Sequence, residues 1–208
     1  MSAEGDKSRL AEVILQATVA LIEESGVDAV TMRSVAGRIG YSPTTIYLYF
    51  KSKEDLLTNA LVYAHEQMAQ GLRAAESIDD LRERLRMRAT WFVRWGVEHP
   101  NTYRLLFEQA PRTQEIGAVA AAAREVWRRH QELIAEAMSC GLIRRDVDPS
   151  VNAHLWWATL HGIVWFATAI RFESTIFPED DAGASERAEV LAESFVTMML
   201  GPAPEPSR

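Results

Sequence analysis

Residues 31–56, TMRSVAGRIGYSPTTIYLYFKSKEDL, read as two short helices joined by a tight turn and followed by the start of a third. Thr31 is placed to cap the first helix. Met32, Val35 and Ile39 recur on one face of it, and Ala36 is small enough for a second helix to cross close by. Gly40 ends that helix, because glycine past a helix terminus adopts positive φ without steric penalty and lets the chain reverse within about three residues. Ser42 caps the next helix, and Pro43 suits its first position, where an N–H has no intrahelical partner. Ile46 and Phe50 form an inward i, i+4 pair, which leaves Thr44, Thr45, Tyr47 and Tyr49 outward on a helix expected to run from Pro43 to Phe50. Ser52 begins the third helix, with Asp55 three residues on in the manner of a capping box.

Between Thr31 and Lys53 the only charged residues are basic, Arg33, Arg38, Lys51 and Lys53, in a chain whose formal net charge is −7. That local reversal of charge points to DNA. Short hydroxyl side chains near the start of an exposed helix suit base edges in the major groove, and phenolic hydroxyls and lysines suit phosphate oxygens. The candidate DNA contacts are Thr31, Arg33, Ser42, Thr44, Thr45, Tyr47, Tyr49, Lys51 and Lys53. Taken singly, an exposed Thr or Lys is ordinary solvated surface and a Tyr at helical spacing is ordinary packing. Their order and spacing carry the reading.

The pattern Thr31-x-x-x-Val35-Ala36-x-x-x-Gly40-x-Ser42, followed by Thr45-Ile46-Tyr47-x-Tyr49-Phe50-x-Ser52-Lys53-x-x-Leu56-Leu57, resembles the N-terminal domain of the tetracycline-repressor-like (TetR) regulators over roughly residues 8 to 60. The resemblance implies an all-α homodimer acting in the cytoplasm as a ligand-responsive transcriptional regulator, most often a repressor. It implies that residues 1–60 form a helix-turn-helix domain whose helix from Pro43 reads a palindromic double-stranded DNA operator. Residues 61–201 would bind a small-molecule effector and dimerise, with effector binding lowering operator affinity. One departure concerns the reading helix: the family often has Gly or another small residue before the position held by Thr45, and this chain has Thr44, which adds a hydroxyl to the reading face.

Composition fits that organisation. A chain of 208 residues, 48% of them hydrophobic, is long enough for a small domain joined to a larger one, and its acidic balance argues against a nonspecific nucleic-acid binder. The single cysteine, Cys140, excludes an internal disulfide and is expected to be partly buried at a helix end. MSAEGDK has no apolar segment of the signal-peptide type. The uncharged run LWWATLHGIVWFATAI, 155–170, is shorter than the ~20 residues that span a bilayer and contains His161, so a buried helix is expected and no membrane association.

Helical periodicity continues along the whole chain. Leu10, Val13, Ile14, Ala17 and Leu21 mark a first amphipathic helix closed by Gly26, and the helix beginning near Lys53 continues to about Arg73. Ser77 is expected to cap a helix carrying Leu81, Leu85, Arg88, Phe92 and Trp95, and Pro100 opens a short one through Tyr103 and Phe107. Helices are then expected over about 113–139, 150–173 and 184–200, with a polar loop at 178–183 and a disordered, proline-spaced tail at 202–208.

All six tryptophans lie beyond residue 90, so the aromatic half of the chain is not the DNA-reading half. Trp91 and Trp95 are one turn apart, as are Trp157 and His161, a spacing that serves either a pocket for a flat apolar ligand or ordinary core filling. Both remain open. The candidate ligand contacts are Trp91, Phe92, Trp95, Tyr103, Phe107, Trp127, Trp157, His161 and Trp165. Trp157-x-x-x-His161-Gly162 also resembles the family's C-terminal domain type named for Trp, His and Gly. In the family this helix and the last one pair with their copies as a four-helix bundle. Ala158, Gly162, Phe166 and Ala169 form a stripe opposite His154, His161 and Phe172, so one face would serve the dimer and the other the pocket.

No cofactor, metal site or catalytic centre is expected. His154 and His161 are about 10.5 Å apart along a helix axis, too far to share an ion, and the chain has no H-E-x-x-H, nucleophile-elbow or phosphate-loop motif. An enzyme is the least favoured alternative; a helical interaction protein without DNA binding is the other.

Overall fold

The computed structural model describes residues 3–108, 117–169 and 183–200, and among these it contains helices and no strand. The helices are α1 (Ala3–Ser25), α2 (Met32–Ile39), α3 (Pro43–Tyr47), α4 (Lys53–Arg73), α5 (Leu81–Glu98), α6 (Pro100–Phe107), α7 (Gly117–Ser139), α8 (Pro149–Ala169) and α9 (Ala184–Met199). Short 3-10 turns occupy Val27–Ala29 and Ala74–Ser77. The expected start of α7 at 113–116, the end of α8 at 170–173, most of the polar loop and the tail fall outside the described residues.

Packing gathers the helices into two compact units. The first holds α1, α2, α3, α4 as far as Gln67, α6, and α7 as far as Arg124. Its core includes Ile14, Ile22, Val35, Ile46, Leu56 and Leu106. Each such side chain stabilises the fold by about 1.5–3 kcal/mol on leaving water. α6 joins this unit through Glu23 near the end of α1. The Glu23 carboxylate accepts the N–H groups of Asn101 at 3.3 Å and Thr102 at 3.0 Å, and Asn101 Nδ2 donates to the Glu23 carbonyl at 2.9 Å. Two free amides of a helix N-terminus are thereby satisfied by an anion, which is where the helix dipole favours one.

The second unit holds the rest of α4, α5, the rest of α7, α8 and α9, with α5, α8 and α9 packed on one another. Leu85, Phe92, Val93, Ile134, Trp156 and Val164 are buried in it, and so are all or part of its polar residues Arg88, His130 and Asn152. Asn152 Nδ2 lies 3.4 Å from the Arg144 carbonyl, and His130 Nε2 donates to the Ala153 carbonyl at 2.9 Å.

Local structure departs from the sequence reading in four places. α3 ends at Tyr47 rather than Phe50, since Leu48–Phe50 turn toward the next helix while the Phe50 N–H still reaches the Ile46 carbonyl at 2.9 Å. Asp55 accepts the Lys51 N–H at 2.8 Å, one residue before the amide that a capping box would use. Asp80, not Ser77, caps α5: its Oδ1 accepts from Arg82 at 2.8 Å and Glu83 at 3.0 Å, while Ser77 closes a 3-10 turn. Cys140 is exposed, because it follows the last residue of α7 in an open turn.

Two glycines have opposite surroundings. A Cβ at Gly71 would fall 1.8 Å from Cζ2 of Trp91, whose ring stacks on Trp95 with centroids 6.1 Å apart, so the indole lies directly on the α4 backbone. A Cβ at Gly37, within α2, meets nothing inside 4 Å. Gly71→Ala is therefore expected to destabilise the protein by about 1–3 kcal/mol through overpacking, and Gly37→Ala to stabilise it by about 0.5–1 kcal/mol through helix propensity. Urea unfolding monitored by tryptophan fluorescence measures both; equal midpoints for Gly71→Ala and the parent chain would refute the contact.

Candidate functional site

The DNA-reading candidate is built from the α2–α3 corner. Thr31 Oγ1 accepts the Ser34 N–H at 2.9 Å and Ser34 Oγ accepts the Thr31 N–H at 2.9 Å, so α2 starts in a reciprocal cap. It stops at Gly40, with φ 74° and ψ 25° in the left-handed region. Ser42 Oγ then accepts the Thr45 N–H at 3.2 Å to start α3. Ile46 and Phe50 are buried beneath it, as their spacing requires. On the opposite side Thr44 and Tyr47 are exposed, with Thr45 and Tyr49 half-buried.

The hydroxyls are not equivalent. Thr45 Oγ1 is 3.0 Å from Ser42 Oγ and is held within the cap, whereas Thr44 makes no hydrogen bond among the described residues. The departure from the family pattern thus supplies the more available donor on this face. Leu48, 72% exposed and one turn from Thr44, is a contact candidate that the sequence reading passed over. Its i+4 spacing from Thr44 was the signal, and an apolar group there suits a thymine methyl.

Of the four basic residues, Arg38 is committed to Glu24 by two hydrogen bonds of 2.6 and 2.5 Å, and their pairing holds the Glu24 carboxyl below its ordinary range. Arg33, Lys51 and Lys53 form no ion pair among the described residues, with Arg33 and Lys51 exposed and Lys53 half-buried. These three are the cations available to phosphate.

The ligand candidates separate into groups. Phe92, Trp157 and His161 meet in the second unit with ring centroids 4.7–5.4 Å apart, and Trp127 joins them 5.8 Å from Trp157. Trp91 and Trp95 stack on each other beside Gly71, and Trp165 is 54% exposed. Tyr103 and Phe107 belong to the first unit, where Phe107 lies edge-on to His65 at 6.3 Å. Around Phe92 and Trp157 is a cavity of about 20 Å³, room for one water, lined also by Leu72, Leu85, Arg88, His130 and Trp156. Beside it, and sharing Arg88, is a polar cleft of about 200 Å³ lined by Glu76, Arg84, Arg129, Glu132 and Glu136. Burial pushes His130 and His161 down to about 4, so both imidazoles are neutral at pH 7. Burial also lowers Arg88, with Glu76 opposing the shift from 4.0 Å.

A capped two-helix corner that exposes hydroxyls and unpaired cations on a buried apolar foot defines a helix-turn-helix regulator. Residues 14–60 match the family described as bacterial regulatory proteins, tetR family, and residues 85–193 match the tetracyclin repressor-like C-terminal domain. The chain belongs to the TetR family of transcriptional regulators, which are not enzymes. It is 32% identical over 159 residues to the transcriptional repressor KstR of Rhodococcus jostii (strain RHA1), covering 76% of this chain and 69% of that protein. It is 27% identical over 157 residues to the transcriptional regulator AqdR of Rhodococcus erythropolis, covering 76% and 73%. A solved structure of a protein of unknown function from Rhodococcus sp. RHA1 shares the fold, with a TM-score of 0.72 at 22% identity over 92% of this chain and 95% of that one. No helix among the described residues is long and apolar enough to cross a membrane.

Three buried histidines give the fold a pH dependence. His65, whose two ring nitrogens have no hydrogen-bond partner among the described residues, is also pushed down to about 4 by burial. Between about pH 6.5 and 4 the unfolded chain binds protons at His65, His130 and His161 that the folded chain refuses, so the contribution of these three to stability falls as pH falls through that window and is constant above it. The slope is at most about 1.4 kcal/mol per pH unit per histidine. Urea midpoints at pH 7.5, 6 and 5 test this. His65→Leu, which removes an unsatisfied polar group, is expected to gain more at pH 5 than at pH 7.5; equal gains would mean that His65 is not held neutral.

Proposed function

We propose that this protein is a homodimeric, ligand-responsive repressor that occupies an inverted-repeat operator and leaves it when a small apolar effector binds its second unit. The observation that carries the DNA half is the outward face of α3, with Thr44, Tyr47 and Leu48 exposed above buried Ile46 and Phe50. The DNA-reading portion lies within residues 1–60, and residues 61–201 hold the effector and dimer functions. A regulator that works by occupying DNA acts in the cytoplasm of a bacterium.

The dimer is supported by α8 and α9. Val151, Leu155, Ala158, Gly162 and Trp165 are exposed along α8 at alternating spacings of four and three, and Val190, Leu191 and Met198 are exposed on α9. A four-three stripe is the pattern of helices packed at about 20°, as in a four-helix bundle formed with a second copy. The effector is supported by the aromatic cavity, although about 20 Å³ holds no drug-sized molecule. Binding therefore requires the cavity to open, so the ligand selects an arrangement different from the closed one. Only such a difference in affinity shifts an equilibrium. Leu72 lines the cavity from the last turn of α4, whose first residue is Lys53, and that helix is the proposed lever.

Footprinting is expected to show two half-sites about one helical turn apart, ~34–36 Å or somewhat more. Thr44→Val is expected to change base preference at one position per half-site, whereas Tyr47→Phe and Lys51→Ala weaken operator and random DNA alike, each by about 1 kcal/mol or roughly five-fold. Equal losses on both DNAs for Thr44→Val would remove its assigned role, and a footprint from one protomer on an asymmetric site would defeat the dimer. Gly162→Leu tests the interface separately, since a Cβ at Gly162 meets nothing within 4 Å in the single chain. The variant is expected to fold normally but to sediment as a monomer at micromolar concentration; an unchanged dimer would place the interface elsewhere.

A further inference from the structure

The cavity beside Phe92 has polar groups that its apolar walls leave unserved. Arg88 is 8% exposed, yet among the described residues its Nη1 alone makes a hydrogen bond, to the Leu72 carbonyl at 3.3 Å. Its one charge partner, Glu76, is 4.0 Å away and is already bound to Arg129 at 2.8 Å. The other carboxylates of the neighbouring cleft are likewise engaged, Glu136 by Arg84 and Glu132 by Arg128. Trp156, 1% exposed, lines the same cavity, and its indole N–H has no acceptor. Two deeply buried side chains thus border one cavity, an indole whose N–H has no acceptor among the described residues and a permanent cation held by one hydrogen bond and one long ion pair.

Donors alone call for an acceptor, and a buried cation with its nearest anion at 4.0 Å calls for an anion. A guanidinium matches a carboxylate in plane and in bite, and a single charge matches a single arginine. A phosphate dianion would carry charge that these walls leave uncompensated. A neutral carbonyl would satisfy the indole and leave Arg88 unpaired. The remaining lining, Leu72, Leu85, Phe92, Trp157 and Leu160, fits an apolar body. Arg88 also borders the polar cleft, which gives a charged end a route from water.

We propose that the effector is a hydrophobic monocarboxylate, its carboxylate bound by Arg88 and the Trp156 indole N–H and its apolar body lodged against Phe92 and Trp157 as the cavity opens. This rests on the ligand-responsive reading above and specifies its chemistry.

The test uses the full chain with octanoate and 4-phenylbutyrate against their primary amides, read by melting temperature, tryptophan fluorescence and release of an operator selected from random DNA. The acids are expected to raise the melting temperature and to bind at least about ten-fold more tightly than the amides. Arg88→Gln is expected to abolish that preference, and Trp156→Phe to weaken binding of the acids several-fold. Amides that bind as well as acids, no binding by either acid, or undiminished affinity of Trp156→Phe for the acids would each overturn the inference. If Arg88→Gln fails to fold, the acid-amide comparison and Trp156→Phe decide alone. A chain that binds its operator and ignores the acids remains a regulator without this site. One that binds the acids and no operator has the site but not the proposed function.

Discussion

A helix as short as α3 has no stability of its own, because nucleating a helix costs more than a single turn of hydrogen bonds returns. Pro43–Tyr47 exists as a helix because Ile46 and Phe50 are buried beneath it and because Ser42 and Gly40 set its start. Everything proposed for DNA recognition depends on that anchoring. The outward residues make few contacts of their own, so they are placed by residues that never touch DNA. Removing the Ile46 side chain would cost about 2–5 kcal/mol and would disorder the reading face before it altered any base contact.

The same division of labour shapes the wider first unit. Glu23 spends its carboxylate on the N-terminus of α6 and Glu24 its own on Arg38, so of the corner's four cations Arg33, Lys51 and Lys53 keep no ion pair among the described residues. A chain of net charge −7 can thus present a locally basic surface. Its affinity for DNA should depend on docking that one face, since bulk attraction is absent.

How much of this was legible in sequence depended on the range of the interaction. The α2–α3 corner was readable because its determinants, Thr31, Gly40, Ser42, Ile46 and Phe50, act over one to four residues. The end of α3 was not, because Leu48–Phe50 respond to the competing start of α4. Nor was the place of α6, which is fixed by Glu23 across 78 positions. Tyr103 and Phe107 look like the tryptophans in composition, and it is long-range contacts, that cap and the packing of Phe107 on His65 among them, that place them in the first unit instead. Arg88 stood in plain view on the stripe Leu81, Leu85, Arg88, Phe92 and Trp95, where a cation is out of place. Its isolation was invisible, because Glu76 and Arg129 come from other elements.

Arg88 also joins the cavity to the rest of the chain. It donates to the Leu72 carbonyl in the last turn of α4, so a cation sits where the helix dipole favours one. An acceptor entering the cavity competes with that carbonyl for the same guanidinium, and an apolar body entering it pushes on Leu72 itself. Both act on the same turn. The closed cavity is close-packed and leaves the Trp156 N–H unsatisfied, so a ligand that opened it would change how these polar groups are served. In the proposed mechanism ligand occupancy would displace α4, and the response would be bounded by how much better the ligand serves Arg88 and Trp156 in an open arrangement than the protein does in the closed one.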